Sequence, residues 1–412
     1  MVVGHACGGV PEQKEISVVS TSVIVAGART PIGKLSGALA SLTAADLGGR
    51  AIAAAIERAG VGTDGVDAVV MGTVVQAGVG PNPARQAAVA AGLPMTVPAT
   101  TVNNLCLSGL EAIMQADRLI ATGAANVVVA GGMESMTNAP YLVRGARTGL
   151  KYGSANFEDA LDRDALTCAF DGISMGASTE GYQATESEAI TREQQDEFAA
   201  RSHRLAAAAT ESGAFAAEIA PVEIASRKGT VTVAADEGIR GETTTESLGK
   251  LRPAFAKDGT ITAGAASQLS DGAAAVVVMR KDVAEARGIE WIAEIRAHAL
   301  VAGPDTSLLH QPANAIEAAL KRDGETTVAD LDLLEINEAF AGVAIASIRQ
   351  LGVDADKVNI HGGAIAVGHP VGMSGARIVL SLAHSLKAAG GGTGAAALCG
   401  GGGQGIAMII SV

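Results

Sequence analysis

Short, wholly apolar runs alternate along this chain with longer stretches whose apolar residues recur at helical spacing. SVIVAGARTPIG reads as a buried strand running into a Gly/Pro turn. LTAADLGGRAIAAAIERAG follows with Thr43 as a cap, apolar positions on one helical face and Gly60 as the stop, and VDAVVMGTVV is the next strand. Strand, helix, strand is the rhythm of a parallel α/β layer. TTVNNLCLSG, the helical LEAIMQADRLIATG and the strand NVVVAGGME repeat it, with Gly131 and Gly132 ending the last run.

A similar unit closes the chain: VNIHGGAIAVGHPVGMSG, then ARIVLSLAHSLKAAG, then GAAALCGGGGQGIAMIISV. Ser108-Gly109 and Ser374-Gly375 open helices of comparable length, which points to an internal duplication of two α/β halves. Between them, long polar helical stretches such as TREQQDEFAARSHRLAAAATESG and loops rich in Gly, Asp and Thr read as an inserted lobe, and insertions of this size carry specificity. SDGAAAVVVMR returns to buried-strand composition. The expected division is an N-terminal extension over 1–22, a first half over 23–137 plus 268–290, the lobe over 138–267, and a second half over 291–412.

Composition narrows the partners more than the fold. The chain has 412 residues, 48% of them apolar, ample for buried cores in two or three domains. A net charge of −13, with no long run among its 30 Lys and Arg, argues against a nucleic-acid footprint. No stretch reads as a spanning helix, and the first residues lack a signal-peptide apolar core, so a cytoplasmic protein with no membrane partner is expected. Cys7, Cys106, Cys168 and Cys399 are too scattered for a disulfide framework and form no Cys-x-x-Cys pair; reduced thiols and no metal are expected. Cys168 and Cys7 read as a buried small hydrophobe and a tail residue.

Cys106 and Cys399 alone sit in glycine-flanked motifs. Cys106 falls at a strand-to-helix junction, where the partial positive charge and free amides of a helix start favour a thiolate and predict a depressed pKa. An imidazole such as His369, in GGAIAVGHPVGMSG, is the natural base for that thiol, and Cys399 in CGGGGQG can move protons for a second substrate. Plainer readings compete. Cys106 could merely pack at the helix start, His369 could be a hydrogen-bonded loop histidine with His361 its closest rival, and Asn337-Glu338 of NEAF could cap a helix. None of these explains why all the motifs occur together in this order.

The four motifs, their order and the central insertion resemble the thiolase family from about Val23 to the C-terminus. The resemblance implies a thiolase fold, a duplicated five-layered αβαβα core with an inserted loop domain, and an acyltransferase that needs no cofactor beyond its coenzyme A thioester substrates. It implies acetyl-CoA C-acetyltransferase chemistry: two acetyl-CoA condense to acetoacetyl-CoA and coenzyme A, and the reverse, through an acetyl group on Cys106. By that resemblance His369 activates Cys106. Cys399 is the acid/base, and Asn337 holds a water that completes one oxyanion hole with a histidine nitrogen. Amides at Cys106 and Gly401 form the other hole. Met175 lines the acyl pocket and Phe340 belongs to the same binding set. Arg240 lies near the adenine end of coenzyme A, and Ser247, Phe255, Ala263 and Ser267 lie along the pantetheine arm. A homotetramer built from dimers is implied as well.

This chain departs from the family pattern at three places: Ser174 stands where many biosynthetic thiolases carry histidine, and Ala265 and Gln268 where Asn and Gly are common. The alternatives are a degradative 3-ketoacyl-CoA thiolase of broader chain length, a Cys-dependent thioesterase, and a catalytically silent acyl-CoA-binding protein of the same fold.

Overall fold

The computed structural model describes residues 21–412 except Lys228; His5, Cys7 and all but the last two residues of the expected extension lie outside the described residues. The first strand is Ser22–Arg29. It pairs antiparallel with Ser270–Arg280, which pairs antiparallel with Val127–Ser135. Parallel pairing then adds Ala68–Gly72 and Ala99–Val102.

The second half repeats this sequence of pairings. Ala293–Ala302 lies antiparallel to Gln404–Ser411, that strand antiparallel to Thr393–Gly400, and Thr393–Gly400 parallel to Leu333–Ile336. A parallel bridge from Leu334 to Val358 stands where the fifth strand would be. The halves join into one sheet through Val23 opposite Glu294 and Ile24 opposite Ala293. The sheet is therefore mixed rather than parallel throughout. The hairpin after Cys399 turns on Gly402 and Gly403, both at positive φ, and so tight a turn can only join antiparallel strands.

Alternation along each strand builds the layers. In Val127–Ser135, Val127 and Val129 enter a core with the helix Ala44–Ala59, while Val128 and Ala130 enter a central core. In Gln404–Ser411, Ile406, Met408 and Ile410 reach that same central core, while Ala407 and Ile409 pack with the helix Gln311–Asp323. The central core also holds the helices Ser108–Ala121 and Ser374–Ala388. Helix, the strands of the first half, the paired helices, the strands of the second half, and helix make five layers. Both sheet faces are covered, so the strands read as continuous apolar runs rather than as alternating ones.

The two central helices touch at their first turns. A Cβ on Gly109 would lie 2.8–3.0 Å from backbone atoms of Gly372, Met373 and Ala376, and one on Gly375 would lie 2.4 Å from the amide of Leu110. Only glycine permits that approach. It brings the turns carrying Cys106 and His369 face to face.

Residues between Ser135 and Ser270 add no strand to the large sheet. They form the polar helix Arg192–Ser212, opened by a Thr191/Gln194 capping box, the hairpin Val222–Ser226 with Gly229–Val233, and the helix Met175–Gln183. Buried Arg29 clamps this segment to the first strand, with Nε 2.8 Å from Glu218 and paired nitrogens 2.7 and 2.9 Å from Asp236. Removing either carboxylate would leave a buried charge uncompensated.

Candidate active site

The turn before the first central helix is held in an uncommon backbone shape. Leu105 has φ of 51°, a left-handed conformation that costs a branched residue energy unless its surroundings enforce it. Ser108 enforces it: its hydroxyl accepts from the Asn104 amide at 2.8 Å and donates to the Leu105 carbonyl at 2.6 Å. Asn103 adds a bond from the Leu105 amide to its Oδ1. Cys106 is presented two residues before the helix, 8% exposed.

Burial pushes the Cys106 thiol up to about 11, against the pull of its own amide and that of Gly401, which favour the thiolate. This corrects the expected depressed pKa. The amides at the helix start are present, but withdrawing the anion from water costs more than they return. Cys106 rests as a neutral thiol.

The second turn holds His369. Its Nδ1 lies 2.6 Å from the Ser374 hydroxyl, which donates its one proton to the Pro370 carbonyl at 3.1 Å. The hydroxyl can then only accept from the ring, so Nδ1 carries the proton and Nε2 offers a lone pair. That Nε2 is buried with no protein partner among the described residues. Burial, reinforced by the charge of Arg377, lowers the imidazole to about 3. The ring is neutral and a base at any physiological pH.

Sequence reasoning left Glu134 unassigned. It lies in the strand Val127–Ser135, fully buried, accepting from the amides of Val74, Val75 and Gly372 and from the Thr73 hydroxyl. It therefore ties the first half to the turn after His369, with burial raising its carboxyl to about 7. The signal was a carboxylate inside an otherwise apolar strand.

Cys399 closes the strand Thr393–Gly400 and is 1% exposed. Burial, then the nearby Cys106, raises its thiol far above the ordinary range. A Cβ on Gly401 would lie 2.2 Å from the Met175 methyl and 3.0 Å from Leu105, so a side chain there would push Met175 within the pocket.

Asn337 follows the strand Leu333–Ile336, its side chain fully buried with neither amide atom bonded to a protein group among the described residues. The helix-cap reading of Asn337-Glu338 fails, because the next helix begins at Ala341 with Phe340 at its cap. Glu338 instead accepts from Ser202, Asn359 and the Ile365 amide, anchoring the loop that leads to His369.

One cavity of about 460 Å³ gathers Cys106, His369, Cys399 and Gly401. Met175, Phe255, Ala263, Ser267 and Phe340 also line it, with the rings of Phe255 and Phe340 edge to face at 5.8 Å. Arg240 and Ser247 are exposed and do not line it. Arg240 donates its backbone amide to His203, and Ser247 turns its hydroxyl to the Thr244 carbonyl. Ser174 lines the cavity and caps the helix Met175–Gln183 through the Ala177 amide, whereas Ala265 is buried elsewhere. Met136, Leu166, Leu269 and Asp162 are among further wall residues that were not foreseen. The rival imidazole His361 lines a different cavity of about 470 Å³ that holds no thiol. Among the described residues no group of His, Cys, Asp and Glu is placed to hold a metal ion, and no helix is long and apolar enough to cross a membrane.

Comparison with known proteins agrees with this geometry. Residues 22–282 match the thiolase N-terminal domain and 289–412 the thiolase C-terminal domain. The chain is 56% identical to a probable acetyl-CoA acetyltransferase of Mycolicibacterium smegmatis, over 94% of this chain and all of that protein. It is 49% identical to the Escherichia coli acetyl-CoA acetyltransferase, over 94% of this chain and 98% of the other. Among solved structures, the Bacillus anthracis acetyl-CoA acetyltransferase superposes with a TM-score of 0.92 at 40% identity, covering 95% of this chain and 99% of that one. Human mitochondrial 3-ketoacyl-CoA thiolase gives 0.91 at 40% identity, covering 96% and 100%. With the duplicated five-layered core, the two thiols and the imidazole in one cavity, and both domain matches spanning the described chain, this protein belongs to the thiolase family.

Proposed function

We propose that the protein is an acetyl-CoA C-acetyltransferase that joins two acetyl-CoA into acetoacetyl-CoA and coenzyme A, and runs the reverse thiolysis. The observation that carries this reading is a single cavity presenting two thiols and a neutral imidazole with its Nε2 unpartnered. As the Cys106 sulfur bonds to the acetyl carbon, its proton passes to His369 Nε2. The carbon–sulfur bond to coenzyme A then breaks, and the departing thiolate takes the proton of Cys399, leaving His369 as imidazolium and Cys399 as thiolate. Cys399 takes the α-proton of the second acetyl-CoA, the resulting carbanion attacks the acetyl carbon, and the Cys106 sulfur is released and recovers its proton from His369.

Negative oxygen develops twice. The amides of Cys106 and Gly401, which favour negative charge at the thiol, serve the acyl-enzyme oxygen. Asn337, with a water and a histidine nitrogen, serves the enolate. Its amide atoms, buried without protein partners, support that role.

Arg240 at the adenine end and Ser247 on the pantetheine arm extend the site outward from the Phe255 and Ala263 rim, over the lobe 138–267, which is inserted between the parts of the first half, 23–137 and 268–290, ahead of the second half, 291–412. We further infer a cytoplasmic homotetramer. Tyr141, Tyr152 and Phe157, exposed on the lobe, are apolar surface available for assembly. A degradative thiolase of broader chain length is the second reading, favoured by the small Ser174 and the apolar wall of Met136, Leu166 and Leu269.

Steady-state thiolysis of 3-ketoacyl-CoA substrates from four to sixteen carbons decides between them. Strong preference for acetoacetyl-CoA is the expected outcome. Equal or faster turnover of long chains would give the degradative reading, and no turnover would leave a silent acyl-CoA binder.

A further inference from the structure

Gln268 bonds the backbone of the base and of the turn before it. The helix Ala364–Val367 is a single turn; the Gly368 amide still donates to the Ala364 carbonyl, but that of His369 donates to the Gln268 carbonyl at 3.2 Å instead of to the Ile365 carbonyl one turn back. That leaves carbonyls of the last turn without helical donors. The Gln268 side chain covers them, its Nε2 lying 3.0 Å from the Ile365 oxygen and 3.2 Å from that of Ala366. The same nitrogen is 3.2 Å from the Gly238 oxygen in the inserted lobe, and a Cβ on Gly238 would lie 2.6 Å from the Ala366 oxygen. Ser270 donates its hydroxyl to the Gln268 carbonyl at 2.7 Å and packs against Gly368, whose φ is 111°.

One residue thus replaces a missing helical turn, with its carbonyl receiving the amide of His369 and its side-chain N–H groups covering the carbonyls released just before it. Its side chain also joins this turn to the lobe, and the residue itself lines the catalytic cavity.

We infer that Gln268 is a positioning residue that sets the ring of His369 toward Cys106 by capping the turn before it and tying that turn to the inserted lobe, an inference that rests on the reading of His369 as the base. Gln268→Met keeps the length of the side chain and removes both donors. Gln268→Glu keeps the shape and sets a carboxylate against three carbonyl oxygens. Misplacement of a catalytic group by an ångström or less lowers turnover by about 10- to 100-fold. The expected results are a kcat about tenfold lower in Gln268→Met and lower still in Gln268→Glu, a KM for the thioester within twofold of the parent, and slower iodoacetamide alkylation of Cys106. Faster amide hydrogen exchange is expected only over 364–370.

Parent-like kcat and alkylation in both variants would overturn the inference. So would a loss of thermal stability with exchange raised across the whole chain, which is what a merely structural residue gives, and variants too unstable to purify would count in the same way. His369→Ala is measured in parallel to separate the two readings. Fast alkylation of Cys106 in His369→Ala would sink the base assignment and this inference with it. Slow alkylation there beside parent-like behaviour in Gln268→Met and Gln268→Glu would sink the positioning role alone.

Discussion

The two halves start their central helices with the same pair, Ser-Gly, and use it differently. In both, the glycine lets the helices touch, and the serine hydroxyl donates to a carbonyl just before the helix, Leu105 in the first half and Pro370 in the second. The hydroxyl's accepting side then diverges. Ser108 receives a backbone amide and so fixes the turn that presents a thiol, whereas Ser374 receives the imidazole Nδ1 and so fixes which nitrogen of His369 is free. Duplication supplied one scaffold. One copy shapes the backbone around the nucleophile and the other selects the tautomer of the base.

That contrast can be broken most severely at the functional groups. Cys106→Ala removes the bond-forming atom and should lower thiolysis on the order of 10⁴-fold or more, with no acyl-enzyme detected. Residual turnover near the parent value would mean another residue carries the acyl group. Cys399→Ser should still be acetylated by acetyl-CoA while condensation slows on the order of 10²- to 10³-fold, within the range of a lost proton-transfer group. Full turnover in that variant would remove Cys399 from the mechanism.

The serines separate the halves more finely. Ser374→Ala leaves the His369 Nδ1 without a partner and should lower kcat about 10-fold or more, as loss of an orienting partner does, with little change in melting temperature. Ser108→Ala leaves the Asn104 amide unpaired, while the Leu105 carbonyl keeps the residue-108 backbone amide, and should act mainly on stability, by about 1–3 kcal/mol. Denaturant unfolding and steady-state kinetics on both variants check this. If each lost stability and activity alike, the division of labour would be wrong.

The smallest effect is one of pH. A thiol raised to about 11 and an imidazole lowered to about 3 are both neutral across the working range. The base form of His369 persists until pH falls toward 3, so its protonation should not reduce the rate near pH 6.5. The kcat/KM profile should be level from about pH 5 to about 9 with respect to this pair. A midpoint near 6.5 that disappears in His369→Ala would show an ordinary, solvated histidine.

Much of this was legible in the sequence because it was written in steric necessity. Glycines beside Cys106, His369 and Cys399 mark where backbone must approach backbone, and the apolar runs mark strands covered on both faces. What was missed depends on burial and partners. The helix start at Cys106 argued for an acidic thiol, but only the folded environment reveals that desolvation outweighs two amides. Glu134 and Glu338 read as isolated carboxylates, and their bonds come from chain segments 21 to 238 residues away. Asn337-Glu338 looked like a helix cap because nothing local shows that the helix starts four residues later, at Ala341. Arg240 and Ser247 carry a family correspondence that does not itself put them on the cavity wall. Gln268, noted only as a departure from the family pattern, bonds the amide of the base and the carbonyls of the turn before it.

The most direct test of the two-thiol account is peptide mass spectrometry of protein mixed with acetyl-CoA and quenched in acid. The account predicts the mass of one acetyl group on the Cys106 peptide in the parent and in Cys399→Ser, and none anywhere in Cys106→Ala. An acetyl group on Cys399, or no adduct in the parent, would contradict it.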